Sequence, residues 1–116
     1  MAAKAEIDSA VFDAGVLAAV QRLIPPDRLH GYLRDLNRQV VTVIDSADDD
    51  VKLQSRAHMI VSQAGMLGLT RVSECARALE NACRSGAGPA AALVQLRAAA
   101  GDIRRFAMPA AGLPAR

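Results

Sequence analysis

Residues 27–46 read DRLHGYLRDLNRQVVTVIDS, and the apolar positions in this stretch decide the fold class. Leu29, Leu33, Leu36, Val40 and Val43 recur at alternating four- and three-residue steps, with Arg34, Asn37, Arg38 and Asp45 elsewhere. That repeat puts all five on one stripe of an α-helix, whereas a half-buried strand would need a period of two. Such a stripe is a seam that other helices must cover.

The flanking segments supply those helices. Leu53, Ala57, Ile60, Ala64 and Leu67 predict a helix from Asp49 to Leu67, broken by Gly68, with the aspartates at 48–50 suited to capping its start. Val72, Cys75, Ala76, Leu79, Ala82 and Cys83 predict a helix capped by Thr70 and ended by Gly86 and Gly88. Leu93, Leu96, Ala100, Ile103 and Phe106 predict a last helix with Pro89 in its first turn. Upstream, Phe12, Val16, Ala19, Val20 and Leu23 predict a short lid-like helix from Ser9 to Ile24, which Pro25-Pro26 ends. The expected architecture is all-α: an antiparallel up-down four-helix bundle with an additional short N-terminal helix. Residues 1–116 are read as one domain, ordered over 8–108, with an Ala/Gly/Pro-rich tail that frays over 109–116.

Composition narrows the function classes. A chain of 116 residues can bury one core without a metal or disulfide staple, and its two cysteines, Cys75 and Cys83, share the apolar side of one helix. No apolar run approaches the roughly 20 residues that cross a bilayer, and no signal-peptide pattern is present, so the expected setting is a reduced cytoplasm without membrane insertion. Residues 1–50 carry five basic and nine acidic side chains, while residues 51–116 carry nine and three. The basic half could steer an acidic partner surface. Nucleic acid is disfavoured, because only Phe12, Tyr32 and Phe106 could stack on bases.

One side chain stands out. On a wheel of about 100° per residue, His58 points away from the apolar stripe of its helix, among Gln54, Ser55, Val61, Ser62 and Gly65, which are small or modestly polar. An imidazole so placed is open to a partner. A helix-borne zinc site would need a second ligand three or four residues away, and Gln54, Ser55, Val61 and Ser62 offer none, so no metal is expected. The chain also lacks a nucleophile elbow, a phosphate-cradling glycine loop and a paired-carboxylate motif, which disfavours a self-contained enzyme. His30, beside Gly31 near the start of its helix, reads as solvated surface. Gly65 within a helix costs about 1 kcal/mol relative to alanine, and its place beside His58 points to partner docking as the reason.

The stretch Ala57-His58-Met59-Ile60-Val61-Ser62-Gln63-Ala64-Gly65-Met66-Leu67-Gly68-Leu69 resembles the histidine-containing phosphotransfer family. That family's pattern is Ala-His, an apolar residue two places on, Lys-Gly at plus three and four, small residues at plus six and seven, an apolar residue at plus nine and glycine at plus ten. Ile60, Ala64, Gly65, Leu67 and Gly68 match it. Ser62 replaces the glycine with another small residue, while Val61 replaces the lysine that, in the family, offers positive charge to the phosphoryl group.

The resemblance implies a phosphocarrier of a two-component phosphorelay. His58 would take a phosphoryl group from the aspartate of a response-regulator receiver domain, or from a hybrid histidine kinase, and pass it on. Gln54, Ser55, Val61, Ser62, Gly65 and Met66 would form the docking surface, with Met59 and Met66 as adaptable contacts. With Val61 apolar, Arg77 and Arg84, on one edge of the next helix with Glu80, are candidates to stabilise the phosphate. No bound cofactor is expected here, Mg²⁺ belonging to the receiver, and the expected state is a monomer. Two alternatives stand beside this reading: a receiver-binding module that works without phosphorylation, and a purely structural helical module.

Overall fold

The computed structural model describes residues 13–45 and 49–107, with Phe106 and Ala107 described in backbone only. The described residues form five helices and no strand: α1 (Ala14–Leu23), α2 (Pro26–Asp45), α3 (Asp50–Met66), α4 (Thr70–Ser85) and α5 (Ala90–Ala107). Helices α2 to α5 form a closed ring of neighbours in which α3 packs on α4, α4 on α5, and α2 on both α3 and α5. This is the four-helix bundle with a short N-terminal helix that the periodicity predicts.

The seam of α2 is buried at all five expected positions, as is that of α3, including Leu67 just past its end. Asp49 caps α3 as expected, its carboxylate accepting from the Lys52 N–H at 2.9 Å. The buried stripe of α4 is Val72, Ser73, Ala76, Leu79 and Cys83, while Cys75 and Ala82 are half-buried. In α5, Leu96, Ala99, Ala100 and Ile103 are buried and Leu93 packs half-buried against them.

Several details differ from expectation. Helix α1 begins at Ala14, where Asp13 caps it by accepting from the Val16 N–H at 3.1 Å. Leu23, expected in the core, is 80% exposed, because the chain leaves the helix there and the half-buried Ile24 takes the inward position. Val20 is buried, Val16 and Ala19 are half-buried, and Phe12 lies outside the described residues. Thr70 is the first helical residue of α4 and not its cap. The cap position belongs to the fully buried Leu69, which makes no side-chain capping bond and whose N–H bonds back to the Ala64 carbonyl at 2.9 Å. Pro89 stands just before α5, its carbonyl accepting from the Leu93 N–H. His30 is half-buried and not on the open surface. Ser46, Asp48 and the tail from 108 onward lie outside the described residues.

Gly68 joins α1 to the bundle. Its φ of +80° is one that side-chain-bearing residues rarely adopt, and a Cβ there would stand 3.2 Å from both the Asp13 carbonyl oxygen and the Leu17 nitrogen. Its carbonyl accepts from the Asp13 N–H at 2.8 Å. The break after α3 is therefore also the seat on which α1 rests.

Candidate functional site

Helix α3 projects His58 into solvent, its side chain 67% exposed, while Ala57 and Ile60 on either side of it are fully buried. The helix is thus fixed by its core face, and the ring stands on the face left over. The helical period predicts that placement.

What the sequence could not show is the hold on the ring. Nδ1 of His58 lies 3.0 Å from Oε2 of Glu80, on α4. A carboxylate there can accept from Nδ1–H, the tautomer in which Nε2 keeps its lone pair free. The same Oε2 accepts from Nη2 of Arg84 at 3.0 Å, and Nη1 of Arg84 donates to the Asn81 side-chain oxygen, also at 3.0 Å. The Glu80 side chain is only 12% exposed. An exposed imidazole is therefore oriented by a mostly buried anion, which an arginine holds in place.

The expected docking residues share one open face. Ser55, Ser62, Gly65 and Met66 are exposed and Gln54 is half-buried, but Val61 packs half-buried against the core and offers a partner little surface. The α4 side of that face is tied down by Ser73, whose Oγ donates to the Val61 carbonyl at 2.9 Å. A Cβ added at Gly65 would meet only Ser73 Oγ, at an ordinary 3.6 Å. The bundle's own packing gives no reason for a glycine there. Toward α2, exposed Met59 and Met66 continue the face to a recess of about 400 Å³ lined by Ile24, Tyr32, Asp35, Gln63, Met66 and Leu67. Buried Oε1 of Gln63 has no hydrogen-bond partner among the described residues.

Of the two arginines expected near a phosphoryl group, Arg84 is engaged with Glu80 and Asn81, whereas Arg77 is exposed one turn away on the same helix edge. Burial pushes both Cys75 and Cys83 above the ordinary thiol value, the neighbouring Arg71 only partly offsetting this at Cys75. Raised thiols suit the packing role expected of them.

The family model of the Hpt domain matches residues 27–106. The chain belongs to the Hpt domain family. No match to the chain was found among curated proteins or among solved structures. The match begins in the first turn of α2, so the Hpt segment is the four-helix bundle that carries His58, and α1 lies ahead of it. Hpt domains are helical bundles that serve histidine phosphotransfer in phosphorelays, interacting with receiver domains and kinases. Among the described residues, no helix is long and apolar enough to cross a membrane.

Sequence reasoning missed two features of this Hpt domain. The sequence places Glu80 on one helix edge with Arg77 and Arg84, but its contact with His58 spans 22 residues and leaves no local signal. Asp102 carries no local sequence signal, yet it is completely buried, accepting from Nε of Arg71 at 2.9 Å and Nη2 of Arg71 at 2.6 Å, and from Arg105.

Proposed function

We propose that this Hpt domain is a cytoplasmic phosphorelay carrier in which Nε2 of His58 accepts a phosphoryl group from a receiver-domain aspartate and returns it to another. One observation carries the reading: the exposed ring is held at Nδ1 by Glu80, 3.0 Å away, so that its nucleophilic nitrogen faces solvent. Nε2 attacks phosphorus in line, the N–P bond forms as the acyl-phosphate P–O bond breaks, and that electron pair goes to the leaving aspartate. The ring keeps its Nδ1 proton and becomes cationic. The Glu80 carboxylate stabilises that charge as it develops, as an aspartate does behind the histidine of a hydrolase triad. Mg²⁺ and most of the remaining electrostatics come from the receiver.

The face around His58 suits such a partner. Ser55, Ser62 and Gly65 leave room for a receiver's active-site rim, and the exposed Met59 and Met66 beside the recess offer adaptable apolar contact. The phosphorylation-independent module finds support in Val61, which leaves α3 without the charge the family lysine supplies. One experiment separates the readings. A receiver domain labelled with radioactive acetyl phosphate is mixed with the chain, with wild type expected to acquire acid-labile, base-stable label and His58→Gln none. Label that persists in His58→Gln, or binding of the receiver without transfer, would overturn the carrier reading.

A further inference from the structure

Helix α4 carries Ser73, Arg77, Glu80 and Arg84 at steps of four, three and four residues, which places them on one stripe. Three of the four are engaged, two of them with α3. Ser73 bonds the Val61 carbonyl, Glu80 bonds His58, and Arg84 bonds Glu80 and Asn81. Arg77 lies between Ser73 and Glu80 and so faces the same strip of α3. It is exposed, and no hydrogen bond or ion pair among the described residues engages it.

The antiparallel register separates the two arginines. His58 stands beside Glu80, while Gly65 stands beside Ser73, whose hydroxyl also reaches the Val61 carbonyl where it points toward the C-terminal end of α3. Arg77 is therefore about level with Val61, one turn from His58 toward the C-terminal end of α3. Arg84 falls on the other side of His58, about level with Gln54. We infer that Arg77 is the phosphoryl-contacting cation of this domain, reaching across from α4 over Val61, and that Arg84 is a positioning residue acting through Glu80. The inference rests on His58 being the phosphoryl acceptor.

The charges favour such a division. A phosphoryl group on Nε2 brings close to two negative charges beside the Glu80 carboxylate, and Arg84 already balances that carboxylate. Val61 is aliphatic and half-buried, so α3 supplies no compensation at the level where the family lysine would stand. Packed helix axes lie roughly 8–10 Å apart, a gap that an arginine stem can bridge. Its planar fork of donors matches phosphate oxygens.

Potassium phosphoramidate tests this without a partner protein. Its P–N bond breaks as Nε2 bonds to phosphorus, and ammonia leaves with the electron pair after protonation. The rate is followed by ³¹P NMR on variants whose thermal unfolding confirms the fold. Wild type acquires label that His58→Gln lacks, and Arg77→Ala slows labelling by about tenfold, the effect of one hydrogen bond to a charged group. Val61→Lys restores the rate of Arg77→Ala but not that of Arg84→Ala, whose defect passes through Glu80. A labelled wild type with an unaffected Arg77→Ala, or rescue of Arg84→Ala alone, overturns this inference and leaves the acceptor role of His58 intact. An unlabelled wild type overturns both.

Discussion

Helix α4 holds an arginine–carboxylate cluster on each of two edges, and the two differ in what they leave open. Near its start, Arg71 grips Asp102 of α5 with two parallel hydrogen bonds, Arg105 adds a third donor, and the carboxylate is completely buried. The contact with Asp102 raises the Arg71 pKa, burial opposing it. Near its end, Arg84 grips Glu80, but only one of the arginine's donors reaches the carboxylate, and the same oxygen also serves an imidazole in solvent. The first cluster is closed and joins two helices. The second is left incomplete, and its remaining capacity goes into orienting a nucleophile.

Substitutions can break that contrast. The largest effect is expected at the closed cluster: Arg71→Ala leaves a buried carboxylate with Arg105 alone and lowers the unfolding free energy by about 2 kcal/mol, less than for a fully buried pair because the guanidinium already keeps one side in water. Urea denaturation measures it, and the labelling rate per folded molecule stays unchanged. A labelling defect there would show that the two clusters are coupled. At the open cluster, Glu80→Ala is expected to slow phosphoramidate labelling about tenfold, equivalent to roughly 1.4 kcal/mol of barrier, while shifting stability by no more than about 1 kcal/mol, its two partners both being exposed. A large loss of stability would mean that Glu80 serves the fold instead.

Gly65 gives the smallest and sharpest test. Because an added Cβ makes only an ordinary contact, Gly65→Ala is expected to stabilise the domain by up to about 1 kcal/mol through helix propensity. Gly65→Leu should keep the phosphoramidate rate and lower transfer from a receiver several-fold. Equal transfer in Gly65→Leu would remove this face from the docking surface.

These contrasts also mark how far the sequence could be read. Local period sufficed for the seams of α2 and α3, since Leu29 through Val43 and Leu53 through Leu67 need only a helix and a neighbour to be buried. The open side of His58 followed from the same arithmetic. Contacts between distant residues did not. Glu80 looks like half of a surface pair until α3 is laid beside α4, and Asp102 is an ordinary exposed carboxylate until Arg71, 31 residues away, is brought to it. Thr70 misled because propensity favours a hydroxyl at a helix start, whereas at the tight Gly68 corner the burial of Leu69 decides the cap.

The Nδ1 contact has one more consequence. With that nitrogen occupied by a carboxylate at 3.0 Å, any electrophile reaching this ring meets a single available atom. The adduct should therefore form as one regioisomer, substituted at the nitrogen farther from the side-chain stem. Removing Glu80 would let the ring turn over and yield a mixture.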